Sequence, residues 1–125
     1  MKQLVCTIVL LSFPGVHVLR AAAAAGDAPQ LLSVQRIWDA APHNAFTDLA
    51  RFDGKWFCTF RESEAHVGGY GKIRVLTSRD GGRWESAALL SEDGIDLRDP
   101  KLSITPDNRL MLVMGGSVYK GQKLV

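Results

Sequence analysis

Between Asp48 and Asp99 the chain carries side chains that could bind and cleave a hydroxyl-rich ligand. Asp48 and Asp99 each stand near the start of a β-like run, in Thr47-Asp48-Leu49 and Arg98-Asp99-Pro100. Arg61 and Arg98 add planar forks of N–H donors. Sugars are read by such polar groups with aromatic faces alongside. Between the arginines, a polar stretch holds Glu62, Glu64 and His66, and each of these side chains can donate a proton. Every one of these residues also has a plainer role open to it. Asp48 and Asp99 suit strand-end capping or turn bonding. Arg61 suits a buried ion pair, and Glu62 and Glu64 a solvated loop. His43 and His66 suit ordinary loop positions better than metal ligation, although His43-Asn44 directly precedes a β-like run and could reach a ligand at the same end.

Short strands must position these groups. Gly and Asp/Asn turn signals cut the chain after Asp27 into β-like runs. The runs are Leu32 to Trp38, Ala45 to Phe52, Lys55 to Phe60, Lys72 to Thr77, Glu85 to Leu90, Lys101 to Thr105 and Arg109 to Met114. Asp53-Gly54-Lys55 and Pro106-Asp107-Asn108 read as hairpin turns. The Gly-rich stretch from Arg61 to Gly71 reads as a loop, as does Ser91 to Leu97. No segment in this part has the 3.6-residue apolar period of an amphipathic helix. Leu110 to Met114 is almost continuously apolar, as in a strand covered on both faces.

The turn Ser78-Arg79-Asp80-Gly81-Gly82-Arg83-Trp84 lies between two of these runs. Ser and Asp side chains accept hydrogen bonds from backbone N–H groups just ahead of them. Gly81-Gly82 supplies positive φ at no steric cost. Trp84 then sets a large apolar body just past the turn, to be buried against a neighbouring strand. A faint repeat accompanies it. Phe52-Asp53-Gly54-Lys55-Trp56 and Pro106-Asp107-Asn108-Arg109-Leu110 share one plan, an acid, a turn former, a base and a large apolar residue. Four-strand propeller blades recur at about 40–50 residues.

The turn resembles the Asp box, S-x-D-x-G-x-T-W, of bacterial-neuraminidase-type repeats, one residue shorter because only Arg83 separates Gly82 from Trp84. The chain thus resembles the sialidase superfamily, and the resemblance covers its N-terminal landmarks. Phe46-Thr47-Asp48-Leu49 stands in the place of the family's F-R-I-P, with Thr47 where the family has its first arginine. Thr59-Phe60-Arg61 stands in the D-A-R place, and Glu62-Ser63-Glu64-Ala65-His66 where the family has its acid/base loop. The resemblance implies an all-β fold, a six-bladed β-propeller of which this chain holds about one and a half blades. No aspartate stands at the family's acid/base place, and Glu64, Glu62 and Asp48 are the candidate catalytic acids by their chemistry and their place on the loop and strand start. On such a propeller the channel face is built from strand starts and nearby loops, which makes Arg61, Arg98, Asp99 and His66 the candidate substrate-binding residues. The Asp box itself is expected to be structural, on an outer hairpin. The family's Tyr–Glu nucleophile pair belongs to later blades.

The N-terminus runs basic, apolar, small: Met1-Lys2, Leu4 to Leu11 with a broken continuation to Leu19, then Ala21 to Ala25. That order reads as a secretory signal peptide over residues 1–25, with an uncleaved anchor as the alternative, and its apolar length is short of a membrane span. Residues 26–44 are expected to be a lead-in strand and linker, and 45–125 the first, truncated portion of a propeller. Without Lys2 and Arg20 the basic count falls from 15 to 13, equal to the 13 acidic residues. A chain with no basic excess is a poor match for nucleic acid. Cys58 is then the one remaining cysteine, so no intrachain disulfide or zinc cluster is expected. The expectation is a secreted or periplasmic sialidase-like glycoside hydrolase that acts on carbohydrate with no cofactor or metal. This portion would itself be inactive for want of its C-terminal blades. The alternative is a non-catalytic Asp-box propeller that binds glycan or protein.

Overall fold

The computed structural model describes residues 28–67, 69–121 and 123–125. The expected signal peptide lies outside the described residues. Residues 34–125 form one compact unit. Of the other unit, 28–33 are exposed chain without regular structure. The run Leu32 to Trp38 forms no strand. Its apolar side chains at Ile37 and Trp38 instead pack against the core as irregular chain, which satisfies the hydrophobic signal without a ladder.

The described residues form antiparallel β-structure and no helix, so none crosses a membrane as a helix. Strands β1 (His43–Phe52), β2 (Lys55–Ser63), β3 (Lys72–Ser78) and β4 (Glu85–Leu90) make one sheet in chain order. Strands β5 (Asp96–Ile104) and β6 (Leu110–Ser117) pair as a hairpin, followed by the short pair β7 (Tyr119–Lys120) and β8 (Lys123–Leu124). The sheets are not closed into a ring.

Turn chemistry sets the registers. Asp53 and Gly54 both take positive φ, 47° and 69°, and Phe52 pairs with Lys55 across them. Two left-handed residues in a two-residue loop match the twist of the flanking strands. In the β5–β6 turn, Asn108 at φ 56° makes the left-handed step, and Thr105 and Arg109 close the loop by backbone bonds. Both hairpins also carry a bulge, between Ala45 and Asp48 in β1 and between Arg98 and Lys101 in β5. Each bulge contains a non-glycine residue at positive φ, Phe46 or Asp99, at matching places 53 positions apart (46 and 99).

The core lies around the central strands. Cys58, Phe60 and Leu76 are buried together, with Ile37, Trp38 and Trp84 packed on them. Burial raises the thiol of Cys58 above its usual range, helped by the nearby charge of Asp48. Trp84 is half-buried rather than enclosed. Strand β4 is exposed along its whole length. Contrary to the two-sided cover its composition suggests, β6 leaves Met111 and Val113 exposed at 43% and 54%.

Candidate functional site

The site begins with a strand that runs further than its sequence suggests. Strand β2 continues through Arg61, Glu62 and Ser63 instead of breaking into a loop after Phe60. Successive strand residues face opposite sides. Arg61 and Glu62 therefore part company. Glu62 joins the face of Cys58 and Phe60, where Arg74 grips it with Nε–Oε1 and Nη2–Oε2 contacts of 3.0 Å. The indole N–H of Trp38 also donates to Glu62 Oε1, and Arg74 stacks 4.9 Å over the Trp38 ring. Such a bidentate, capped carboxylate is a structural ion pair.

Arg61 goes to the other face and is fully buried. Its Nε donates to Asp96 Oδ1 at 2.8 Å, and its Nη1 donates to the carbonyl of Ala65 at 2.9 Å. Its Nη2 lies 2.7 Å from Asp96 Oδ1, within ion-pair distance, but has no hydrogen-bond acceptor. Asp96 is equally buried and also accepts from the Gly71 backbone N–H at 2.8 Å. Its other oxygen contacts Arg98 Nη1 at 3.1 Å. Arg98 Nη1 further contacts the His66 carbonyl and the Tyr119 hydroxyl, each at 3.2 Å, and the Arg98 guanidinium lies 5.1 Å over the Phe46 ring. One carboxylate thus orders two arginines.

Three imidazole and phenyl rings close this end. His66 meets His43 edge-on at 5.3 Å and Phe46 at 5.4 Å. The positive φ at Phe46 belongs to the β1 bulge, a device that re-aims side chains near sites. The loop that carries His66 is tied down. Ser63 Oγ donates to Ala65 O and accepts from Ala65 N, and Arg61 and Arg98 bind the carbonyls of Ala65 and His66. Beside the cluster is a pocket of about 170 Å³ bordered by Gly69, Tyr70, Asp96, Ser117, Tyr119 and Gly121.

The sequence candidates divide accordingly. Arg61, Arg98 and His66 come together. Glu64 lies exposed on the tied loop. Asp48 accepts from the Leu102 backbone N–H at 2.8 Å, a bond that ties β1 to β5 and holds its carboxyl below the usual range. Asp99 is exposed within the β5 bulge. Asp48, Arg61 and Asp99 thus have separate polar surroundings, and the acid that joins the arginines is Asp96. Asp96 lies in the stretch whose composition reads as loop, ahead of the run predicted from Lys101, and Tyr119 lies beyond the last predicted run, so neither is legible as a site residue. Starting the Lys101 run at Asp96 would have shown Asp96 and Arg98 two apart, on one face.

A second pocket, about 290 Å³, lies at the other end of β2 and is lined by Lys55, Ser78, Asp80, Arg83 and Glu85 among others. Here the Asp80 carboxylate is occupied by its own turn. Its Oδ1 accepts from the N–H groups of Arg83 and Gly82 at 2.9 Å each and lies 3.2 Å from Ser78 Oγ. These bonds, Arg83 first, hold its carboxyl below the ordinary range. Ser78 Oγ accepts from Gly81 N, and the Trp84 indole donates to Gly81 O at 2.9 Å. Asp80 is a turn residue.

Among the described residues no three potential ligands cluster as a metal site. No protein-family model matches the chain, and no curated protein or solved structure matches it either.

Proposed function

We propose that this chain belongs to a secreted, sialidase-like β-propeller that hydrolyses glycans, with β1–β4 as one blade and β5–β6 opening the next. The supporting observation is the repeated hairpin. A bulge with one left-handed residue recurs in β1–β2 and β5–β6, each followed by a turn that also uses positive φ, at Asp53 and Gly54 or at Asn108, and an Asp-box turn links the strands β3 and β4 between them. The basic–apolar–small start favours export. The cluster of Arg61, Asp96, Arg98, His43, His66 and Tyr119 is the carbohydrate-facing part, with Phe46 as its apolar face.

This chain by itself binds but does not turn over. Hydrolysis of the sialidase type uses a free acid/base carboxyl together with an activated tyrosine nucleophile, and the resemblance puts that tyrosine in later blades. Here Glu62 and Asp96 are held by arginines and Asp48 by a backbone N–H. That leaves Glu64 as the acid on the site loop without a polar partner among the described residues. The same observation favours a second reading, a non-catalytic propeller that binds glycan or protein.

The test uses purified protein. It should retain sialylated glycoprotein, release it after desialylation, and leave a fluorogenic sialoside uncleaved. A hydrolase-type site should also bind a planar, unsaturated analogue of the sugar more tightly than the sugar itself, whereas a plain binding module should not. Failure to bind any glycan would remove the proposal. Turnover lost in Glu64→Ala would show that the chain carries a working acid pair of its own.

A further inference from the structure

Among the described Phe, Tyr and Trp side chains, Tyr70 alone is exposed, at 69%. A ring left in water forgoes the burial that stabilises the others. The backbone beside it is not free to swing it inward. Gly71, the next residue, is pinned through both its polar groups: its N–H donates to Asp96 Oδ1 and its carbonyl accepts from Leu97 N. Tyr70 also borders two hollows. One is the pocket of about 170 Å³ beside the arginine cluster, where Ser117 and Tyr119 bring hydroxyl groups. The other, of about 420 Å³, is lined by Lys72, Ser91, Glu92 and Asp93 as well as Tyr70. Glu92 and Asp93 are exposed, and their carboxylates can each accept hydrogen bonds from hydroxyl groups.

We infer that Tyr70 is the stacking platform for a second, neutral sugar unit, so that the site takes an oligosaccharide rather than a single sugar. The apolar C–H face of a pyranose lies on the phenol ring, and its rim hydroxyls meet the polar groups of the hollow on either border. A tyrosine has two side-chain torsions and loses little entropy when it is covered. The charge of the larger hollow specifies a neutral unit. Two acids against one lysine disfavour a further anionic group there. Binding changes no bond of the ligand. This inference rests on the carbohydrate reading above and adds to it the length of the ligand and the place of its second unit.

Titration calorimetry on the full chain tests it. The methyl α-glycoside of N-acetylneuraminic acid is compared with 3′-sialyllactose and 6′-sialyllactose, which each add two neutral sugars to the same acidic one. The better of the two trisaccharides should bind about tenfold more tightly than the methyl glycoside, the order expected for covering one ring face. Tyr70→Phe, which keeps the ring, should preserve that ratio, and Tyr70→Ala should bring it near one. Saturation-transfer NMR reads the unmodified chain even where a variant fails to fold. Saturating the tyrosine ring protons should mark protons of the neutral sugars, and its failure to reach them overturns the inference. Equal affinity of all three ligands for the unmodified chain overturns the inference and leaves the carbohydrate reading standing. An advantage that survives in folded Tyr70→Ala puts the second unit elsewhere and overturns the inference. Absence of binding by any of the three overturns both.

Discussion

Gly71 shows how tightly the site is built at the scale of one residue. A Cβ there would collide with Arg61 Nε and Asp96 Oδ1 and would lie 2.8 Å from the Leu97 carbonyl. The Gly71 N–H bonds Asp96 and its carbonyl accepts from Leu97 N. No larger residue fits without prising apart the buried pair. Breaking such a pair typically costs 3–5 kcal/mol, because a buried charge is left uncompensated. Gly71→Ala should therefore destabilise the protein by about 3 kcal/mol or more in urea unfolding. Gly94, which meets nothing within 4 Å, provides the contrast. Its φ of 74° limits Gly94→Ala to the backbone strain of a left-handed residue, about 1–2 kcal/mol. Equal losses at the two positions would mean that Arg61 and Asp96 relax freely around a methyl group.

At the scale of elements, the β3–β4 connection is held by side chains that imitate a backbone turn. Asp80 and Ser78 together accept three backbone N–H groups, and the Trp84 indole returns to Gly81 O. Trp84 also covers part of the Cys58, Phe60 and Leu76 cluster. It is only half-buried, so truncation should cost less than the roughly 3–5 kcal/mol of an enclosed tryptophan. Trp84→Ala is expected to lower stability by about 2 kcal/mol, measured by chemical denaturation. A neutral result would show that the indole contributes nothing to the sheet.

Two consequences follow at the scale of the whole molecule. Strand β4 and the outer side of β6 have no partner strand among the described residues. The exposed side chains there include Leu89, Leu90, Met111 and Val113. Open edges beside apolar faces promote association. Size-exclusion chromatography with light scattering should show concentration-dependent oligomers, and Met111→Lys/Val113→Lys should shift them toward monomer. A monomer at every concentration would contradict this. The second consequence is acid sensitivity. Asp48, Asp80 and Asp107 are each held below the ordinary carboxylate range by hydrogen bonds, from Leu102 N, Arg83 N and Thr105 Oγ1 respectively as the largest cause. A depressed carboxyl stabilises the fold above its unfolded value, about 4, and that contribution is lost as pH falls through the folded value. Urea midpoints should stay level from pH 7 to 5 and drop below about pH 4, with a shallower drop in Asp48→Ala. A main loss above pH 5 would point to other groups.

The sequence alone determined the all-β character, the hairpin turns at Asp53-Gly54 and Pro106-Asp107-Asn108 and the Ser78–Trp84 connection. These depend on local chemistry: left-handed φ, side chains bonding neighbouring N–H groups, and apolar runs too short for helices. Arg61, Arg98 and His66 were legible as site residues for the same reason, since their types announce their chemistry. Tertiary structure decided which of them meet. Extending β2 to Ser63 sent Arg61 and Glu62 to opposite faces. Packing of β5 against the first sheet then supplied Asp96 as the partner of Arg61, 35 residues away. Strand length and long-range pairing follow from burial and from partner strands, and no local run of residues encodes them. The polar composition after Phe60 reads as loop, yet Arg61 and Glu62 are strand residues because each finds a charged partner on its own face.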